Sequence, residues 1–285
     1  MTPNASKDAA SGTRTSQRAP DHLEPDAGAF YAPRSTHNPL RFVLPVTAGL
    51  CVGPAQRQFL FGGVGLAASV NAMERATGRP LVWATAQYLS YASTDAMVDI
   101  DVGTPVAGNN ITQARVVGHQ GEREIFAVAG ALGARSDAHS RQFAEMPVGP
   151  RPEDCDVRSH EFARPDDLHQ RFEVRPVERE RGHDEGHSQM WIRPVADVTM
   201  SSGLLAVIAD YVPGAIRIAL DRPAGANSLD NTLRIQRVRP VEWVLCDTQI
   251  TGIANGFVHG RMYIFADDGE LLATASQSGI LRVND

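Results

Sequence analysis

The chain has 285 residues, 42% of them apolar and 21% charged, a balance that fits a globular protein with one large core or two small ones. Its net charge of −6 argues against a nucleic-acid-binding face and against a polybasic membrane patch. The three cysteines, Cys51, Cys155 and Cys246, are far apart and odd in number, which predicts reduced thiols in a cytoplasmic protein and no disulfide frame. Lys7 stands alone beside abundant arginine, so a cluster of arginines by itself means little here.

Residues 1–36 are rich in Ser, Thr, Ala, Pro and Asp and read as a disordered tail. The first 17 residues contain no apolar core of a secretory signal, and no run of 18 apolar residues appears in the chain, so no membrane span is expected. From Asn38, "RFVLPVTAGLCVGPAQRQFLFGG" reads as two short extended pieces reaching a glycine pair. Residues 63–78, "GVGLAASVNAMERATG", predict a helix: Leu66, Val70 and Met73 share a stripe and Gly78 provides the stop. Four β-rich runs follow between residues 79 and 133, two of them joined by the "HQGE" turn. A polar stretch, about 134–170, reads as a linker crossing the surface. A similar order then returns. "RFEVRPVERE" and "SQMWIRPVA" are strands, residues 201–211 a second helix, and the remainder a meander closed through "DDGE". Twice the chain presents a lead-in, a helix and an antiparallel meander, which is an α+β design.

Several candidate motifs lead nowhere. Gly63, Gly65 and Ala68 brush the dinucleotide fingerprint, but hairpins follow where a βαβ unit is required. "GHDEGH" (182–187) offers His183, Asp184, Glu185 and His187, yet it reads as a hydrated turn, and no metal is predicted. No G-x-S-x-G elbow occurs. Cys246 reads as a small buried filler in a strand.

Asp210 is harder to dismiss. It lies in "LLAVIADYV", where an isolated ionised carboxylate loses hydration or acquires a raised pKa. Ser228 and Gln277 are two further polar residues in apolar strands, and Gln277 shares its face with Ala273, Ala275 and Gly279. Small neighbours leave room for a substrate. The residues alone leave two readings open: a local cap with ordinary strand positions, or a site.

The series "FLFGGVGLAASV", "FEVRPVE", "QMWIR", "AVIAD", "SLDNT", "EWVL" and "DGELLATASQSGILRV", in that order, resembles the thioesterase II family of acyl-CoA thioesterases over about residues 38–285. The resemblance implies a double hotdog, two tandem folds in which a curved antiparallel sheet grips a long helix. Residues 37–133 would form the first, 134–170 the linker and 171–285 the second. It implies an acyl-CoA substrate, no cofactor, and a water-activating network of Asp, Ser or Thr, and Gln, which falls on Asp210, Ser228 and Gln277. It also implies a homo-oligomer.

On this reading Asp210 is the general base, and Ser228 and Gln277 fix the water and the carboxylate. The backbone N–H groups of Gly63 and Val64 are the expected oxyanion donors, at the start of the first helix. The first half lacks the network: Ala131 falls roughly where Gln277 stands, and its helix carries Asn71 and no acid before Glu74. One active site per chain, between the halves, is therefore expected. Two departures from the family border the acyl tunnel. "SLDNTLRIQ" lacks the His and aromatic run that many members carry, and "VWATAQYLSYAS" lacks their histidine. An acyl-CoA-binding protein without activity, a hydratase or dehydratase and, more distantly, a dinucleotide binder remain the alternatives.

Overall fold

The computed structural model describes residues 28–54, 56–135, 139–158, 166–178, 186–196 and 198–283. His183, Asp184 and Glu185 of the "GHDEGH" motif lie outside the described residues.

The first half contains strands β1 (Arg34–Ser35), β2 (Arg41–Pro45), β3 (Cys51–Val52) and β4 (Phe59–Leu60), then helix α1 (Gly62–Thr77). Strands β5 (Leu81–Tyr88), β6 (Met97–Ala107), β7 (Ile111–Gln120) and β8 (Arg123–Gly133) complete it. The second half contains β9 (Phe172–Pro176), β10 (His187–Pro194), helices α2 (Ser202–Ala209) and α3 (Ile216–Leu220), then β11 (Ala224–Ile235), β12 (Val244–Ala254), β13 (Phe257–Ala266) and β14 (Leu271–Val283).

Twelve of these strands form one antiparallel sheet in the order β1-β2-β6-β7-β8-β5-β11-β14-β13-β12-β10-β9. The order reads alike from either edge: β2-β6-β7-β8-β5 from one side and β10-β12-β13-β14-β11 from the other. The halves join where β5 pairs with β11, from Gln87 opposite Asp230 to Trp83 opposite Arg234. Thr85 and Thr232 share a 2.7 Å hydroxyl contact across that seam. Three of the hairpins turn on residues with positive φ: Gly121 after β7, Asn255 and Gly256 after β12, Gly269 after β13. All pairings are antiparallel, so α1 has no parallel βαβ unit around it and the dinucleotide expectation falls.

Helix α1 is buried from Gly63 through Met73 because it lies between the sheet and α2. Gly78, at φ 65°, ends it as expected. Helix α2 starts where the Ser201 hydroxyl accepts from the Leu204 N–H (3.1 Å). It stops two residues earlier than 201–211 suggests: Asp210 is its C-cap, and Pro213 and Gly214 fall in the 3-10 turn Val212–Ala215 that precedes α3. Read as one helical run, Ser202–Leu220 is long and apolar enough to cross a membrane, with a mean hydropathy of 1.6. The window is 67% buried inside the protein, as befits a core helix.

Two boundary expectations need correction. Residues 28–36 do not belong to a disordered tail, because Tyr31 is fully buried and its hydroxyl lies 2.7 Å from Ser201 Oγ. Gly203 leaves the space for its ring, since a Cβ there would stand 2.4 Å from Tyr31 Cε2. Tyr31→Phe is expected to cost about 1 kcal/mol, the net worth of one buried hydrogen bond, in a denaturant titration. Residues 139–158 are also more than a connector. They cross the outer face of the second half, where the Trp191 Nε1–H donates to Pro150 O (3.0 Å) and Gln142 Oε1 accepts from the Leu271 N–H (2.6 Å). Cys155 joins Trp191, Trp243, Leu245, Phe265 and Leu271 in a second apolar cluster beneath them.

Candidate active site

The end of α2 meets the beginning of α1. Helix α1 has no side-chain cap of its own, since its N-cap residue is Phe61. Asp210 supplies the missing acceptor from 147 residues away: the Gly63 N–H donates to Asp210 Oδ2 at 2.6 Å. Glycine is required for this approach. A Cβ on Gly63 would stand 2.8 Å from both Asp210 Cβ and Val207 O, and one on Gly62 would stand 2.9 Å from Asp210 Oδ2 and Tyr88 Cζ.

The other carboxylate oxygen, Oδ1, accepts from Gln277 Nε2 on β14. The same nitrogen donates to Ser228 Oγ at 2.7 Å. A register shift between Ser228 and Asp230 marks a bulge in β11 at this point. Because Ser228 Oγ accepts from Gln277, its own proton remains available to another acceptor. The structure thus brings Asp210, Ser228 and Gln277 together, in one connected set spanning α2, β11 and β14.

It does not leave Gly63 and Val64 as free donors. The Gly63 N–H is engaged by Asp210, and the Val64 N–H donates to Phe61 O (3.0 Å) inside the first turn. The expectation that these two form an oxyanion hole is therefore corrected: the carboxylate itself occupies that position at the helix terminus. The N–H of Gly62, the first residue of α1, has no acceptor among the described residues.

Asp210 is 5% exposed, and burial pushes its pKa up to about 7, against hydrogen bonds from Gln277 and Gly63 and the nearby amide of Asn231, which lower it. Its carboxylate borders a cavity of about 500 Å³ that Gly62 and Ser228 also line. Phe59, Phe61, Tyr88, Tyr91 and Tyr211 make much of the wall. Gln277 stands behind Asp210 and Ser228 and does not reach this cavity.

Asn231 and Tyr88 are two further polar residues at the site, outside the expected network. Asn231 is fully buried, opposite Gln277 in register, and neither end of its amide has a partner of good geometry among the described residues. It nevertheless lies close enough to Asp210 and Tyr88 to lower both pKa values. The Tyr88 hydroxyl is also unpartnered, and burial followed by Asp210 and Asp230 holds its pKa well above the ordinary phenol value. The available signal was a polar residue inside "DNTLRI", at the position facing the Gln277 strand. His169 is another addition, since it lines the cavity although no histidine stands beside Asp210 in sequence. Burial lowers its pKa, offset by Asp167 and reinforced by Arg158.

The remaining candidates lie elsewhere. Cys246 is fully buried and burial pushes its thiol up, so it carries no thiolate. His187 Nε2 sits 2.6 Å from Asp247 Oδ1 on the sheet. Ala131 lies on β8 between Trp83 and Gln113, and it brings no polar group.

Residues 152–281 match the family model described as the acyl-CoA thioesterase C-terminal domain. A crystal structure from Novosphingobium aromaticivorans, of a protein assigned as a thioesterase, is 30% identical with a TM-score of 0.81, over 87% of this chain and 97% of that one. More distant structures share the fold. A protein of unknown function with a hot dog fold from Alicyclobacillus acidocaldarius is 19% identical with a TM-score of 0.77, over 90% of this chain and 97% of that one. The acyl-CoA thioesterase II of Mycobacterium marinum is 19% identical with a TM-score of 0.72, over 90% and 98%. No curated protein matches the chain. The fold is a hotdog fold.

Proposed function

The chain belongs to the thioesterase II-type family of acyl-CoA thioesterases, and from that premise we propose that it hydrolyses acyl-CoA to a free acid and coenzyme A. The two halves, which mirror each other in strand order, are read as the tandem units of a double hotdog, with one site per chain. The observation that carries the proposal is the buried carboxylate of Asp210, poised near neutrality and joined to Gln277 and Ser228 at the wall of a cavity.

In this scheme a water in the cavity attacks the thioester carbonyl carbon while Asp210 takes its proton. The hydrogen bonds from Gly63 and Gln277 hold the carboxylate still, so little reorganisation is needed. Ser228 directs its hydroxyl proton to the water or the substrate. The oxyanion is assigned to the Gly62 N–H, which replaces the Gly63 and Val64 pair in that role. Collapse of the tetrahedral intermediate breaks the C–S bond. A thiol pKa of roughly 8.5 lets the thiolate leave readily, and the proton held by Asp210 returns to it. No step calls on a metal or a second acid.

Thiol release from a panel of acyl-CoAs, varied in chain length and branching, tests the reading. Cleavage supports it. Measurable binding of acyl-CoA with no thiol released supports a non-catalytic protein instead. His169, which shares the cavity with Asp210, keeps a hydratase reading open because such enzymes pair an acid with a histidine. Loss of the conjugated absorbance of an enoyl-CoA, without thiol release, decides for it.

A further inference from the structure

Three arginines gather at the cavity that Asp210 borders, and none forms an ion pair with a carboxylate among the described residues. Arg158, on the segment that crosses the second half, lines the cavity itself. Arg57, in the β3–β4 loop, lies over the ring of Tyr91, 5.9 Å from its centroid. Arg282, near the end of β14, lies beside the Asn227 amide: with that amide turned so that its oxygen faces the guanidinium, it accepts from Arg282 Nη2 (3.0 Å) and Nε (3.3 Å) and from the Tyr91 hydroxyl (3.2 Å). Tyr91 and Asn227 both line the cavity.

Elsewhere Arg41 pairs with Asp101, Arg193 with Glu173 and Arg239 with Glu270, whereas these three are left facing one concavity. The three at the cavity come from distant segments, all three are exposed, and Asp210 is the single acid in the lining. In a chain of net charge −6, a cationic rim around one concavity concentrates field toward an anion. Guanidinium forks suit phosphate oxygens.

We propose that Arg57, Arg158 and Arg282 bind the phosphates of the coenzyme A portion of the substrate. The inference rests on the thioesterase reading and adds to it the residues that hold the carrier. Coenzyme A bears a diphosphate and a ribose phosphate, which three separate cations can share. A phosphopantetheine arm on a carrier protein offers one phosphodiester, and a short thiol offers none.

The test uses the full chain and the double variant Arg57→Gln/Arg282→Gln, with one acyl group presented on coenzyme A, on N-acetylcysteamine and on a phosphopantetheinylated carrier protein. The expected result is a KM for acyl-CoA raised about tenfold or more, the range for losing charge-assisted hydrogen bonds, with a much smaller change for the N-acetylcysteamine ester. Added salt should weaken acyl-CoA binding in the unmodified protein and do so less in the variant. Calorimetric binding of free coenzyme A should weaken by a similar factor. That readout needs no turnover, so failure of the rim and failure of hydrolysis are told apart. Equal losses on all three carriers, a loss greatest on the carrier protein, or an unaltered affinity for free coenzyme A would each overturn the proposal.

Discussion

Replacing Asp210 with asparagine is expected to lower kcat for acyl-CoA hydrolysis by about 10²-fold or more, the usual range for loss of a general base. The chain should still fold, because the amide matches the carboxylate in shape. One amide oxygen can keep the hydrogen bond from the Gly63 N–H. The new amide nitrogen would meet Gln277 Nε2, donor against donor, unless Gln277 turns its own amide over. That turn is available, since Gln277 Oε1 has no partner among the described residues. Removing the charge also relieves a cost. A carboxyl raised from 3.8 to about 7 forfeits at most about 4 to 5 kcal/mol when ionised in the fold, at about 1.4 kcal/mol per pKa unit. The weaker acceptor returns part of that, so at pH 8 the melting temperature should rise modestly. Thiol-release kinetics and thermal melts on the same samples check both halves. A variant that turns over at the full rate removes Asp210 from the chemistry, whatever its stability.

Local signals reached only part of this site. The turn residues Gly121 and Gly269 and the helix stop at Gly78 each act within a few residues, and each could be read from the chain. Alternation singled out Gln277, and apolar surroundings singled out Asp210. What the sequence could not supply were relations across long separations. The β5–β11 seam depends on two strands more than a hundred residues apart, with no turn to set their register. The Gly63 N–H looked like a free donor because a helix N-terminus usually offers one. Its acceptor lies in the other half of the chain, so the oxyanion assignment shifted by one residue to Gly62. Asn231 went unnoticed because an asparagine in a strand is unremarkable until its cross-strand neighbour, Gln277, proves to hold the acid. Tyr31 and its neighbour Phe30 followed a long stretch of small and polar residues whose composition outweighed the two rings that dock against the core.

The glycine pair at the start of α1 now has a reason that its resemblance to a dinucleotide fingerprint concealed. Any side chain at Gly62 or Gly63 would push against Asp210, Tyr88 or the backbone of α2. The same close approach excludes water from the carboxylate and raises its pKa, and it supplies the donor that holds the carboxylate in place. Packing, positioning and proton affinity are therefore one feature of the helix contact, and the hydrogen bonds from Gly63 and Gln277 offset part of the cost of burying the ionised acid.

Rate and stability are consequently expected to move in opposite directions between about pH 4 and pH 7. The base must be ionised to accept a proton, so kcat/KM should rise about tenfold per pH unit on its acid limb and level off above about pH 7. Activity at pH 5 should then be about 100-fold below the plateau, a limb that follows from the raised pKa of Asp210. For stability the folded state, with Asp210 near 7, holds a proton that the unfolded state releases above 3.8. Its contribution is fully present below 3.8 and is lost as pH rises through about 7. Two other groups pull the other way at lower pH. His169, lowered by burial, favours the fold less as pH falls through the ordinary histidine range. Glu173 is raised by burial but lowered further by Arg193 and Arg175, and its effect lies below its ordinary value of 4.5. Subtracting the melting curves of Asp210→Asn from those of the unmodified protein, pH by pH, cancels both. The difference should grow from near zero at pH 4 and saturate above pH 7, tracking the rise in kcat/KM. An acid limb centred near pH 4 with a flat stability difference would mean a solvated carboxylate, and the site would lose the poised base on which the chemistry depends.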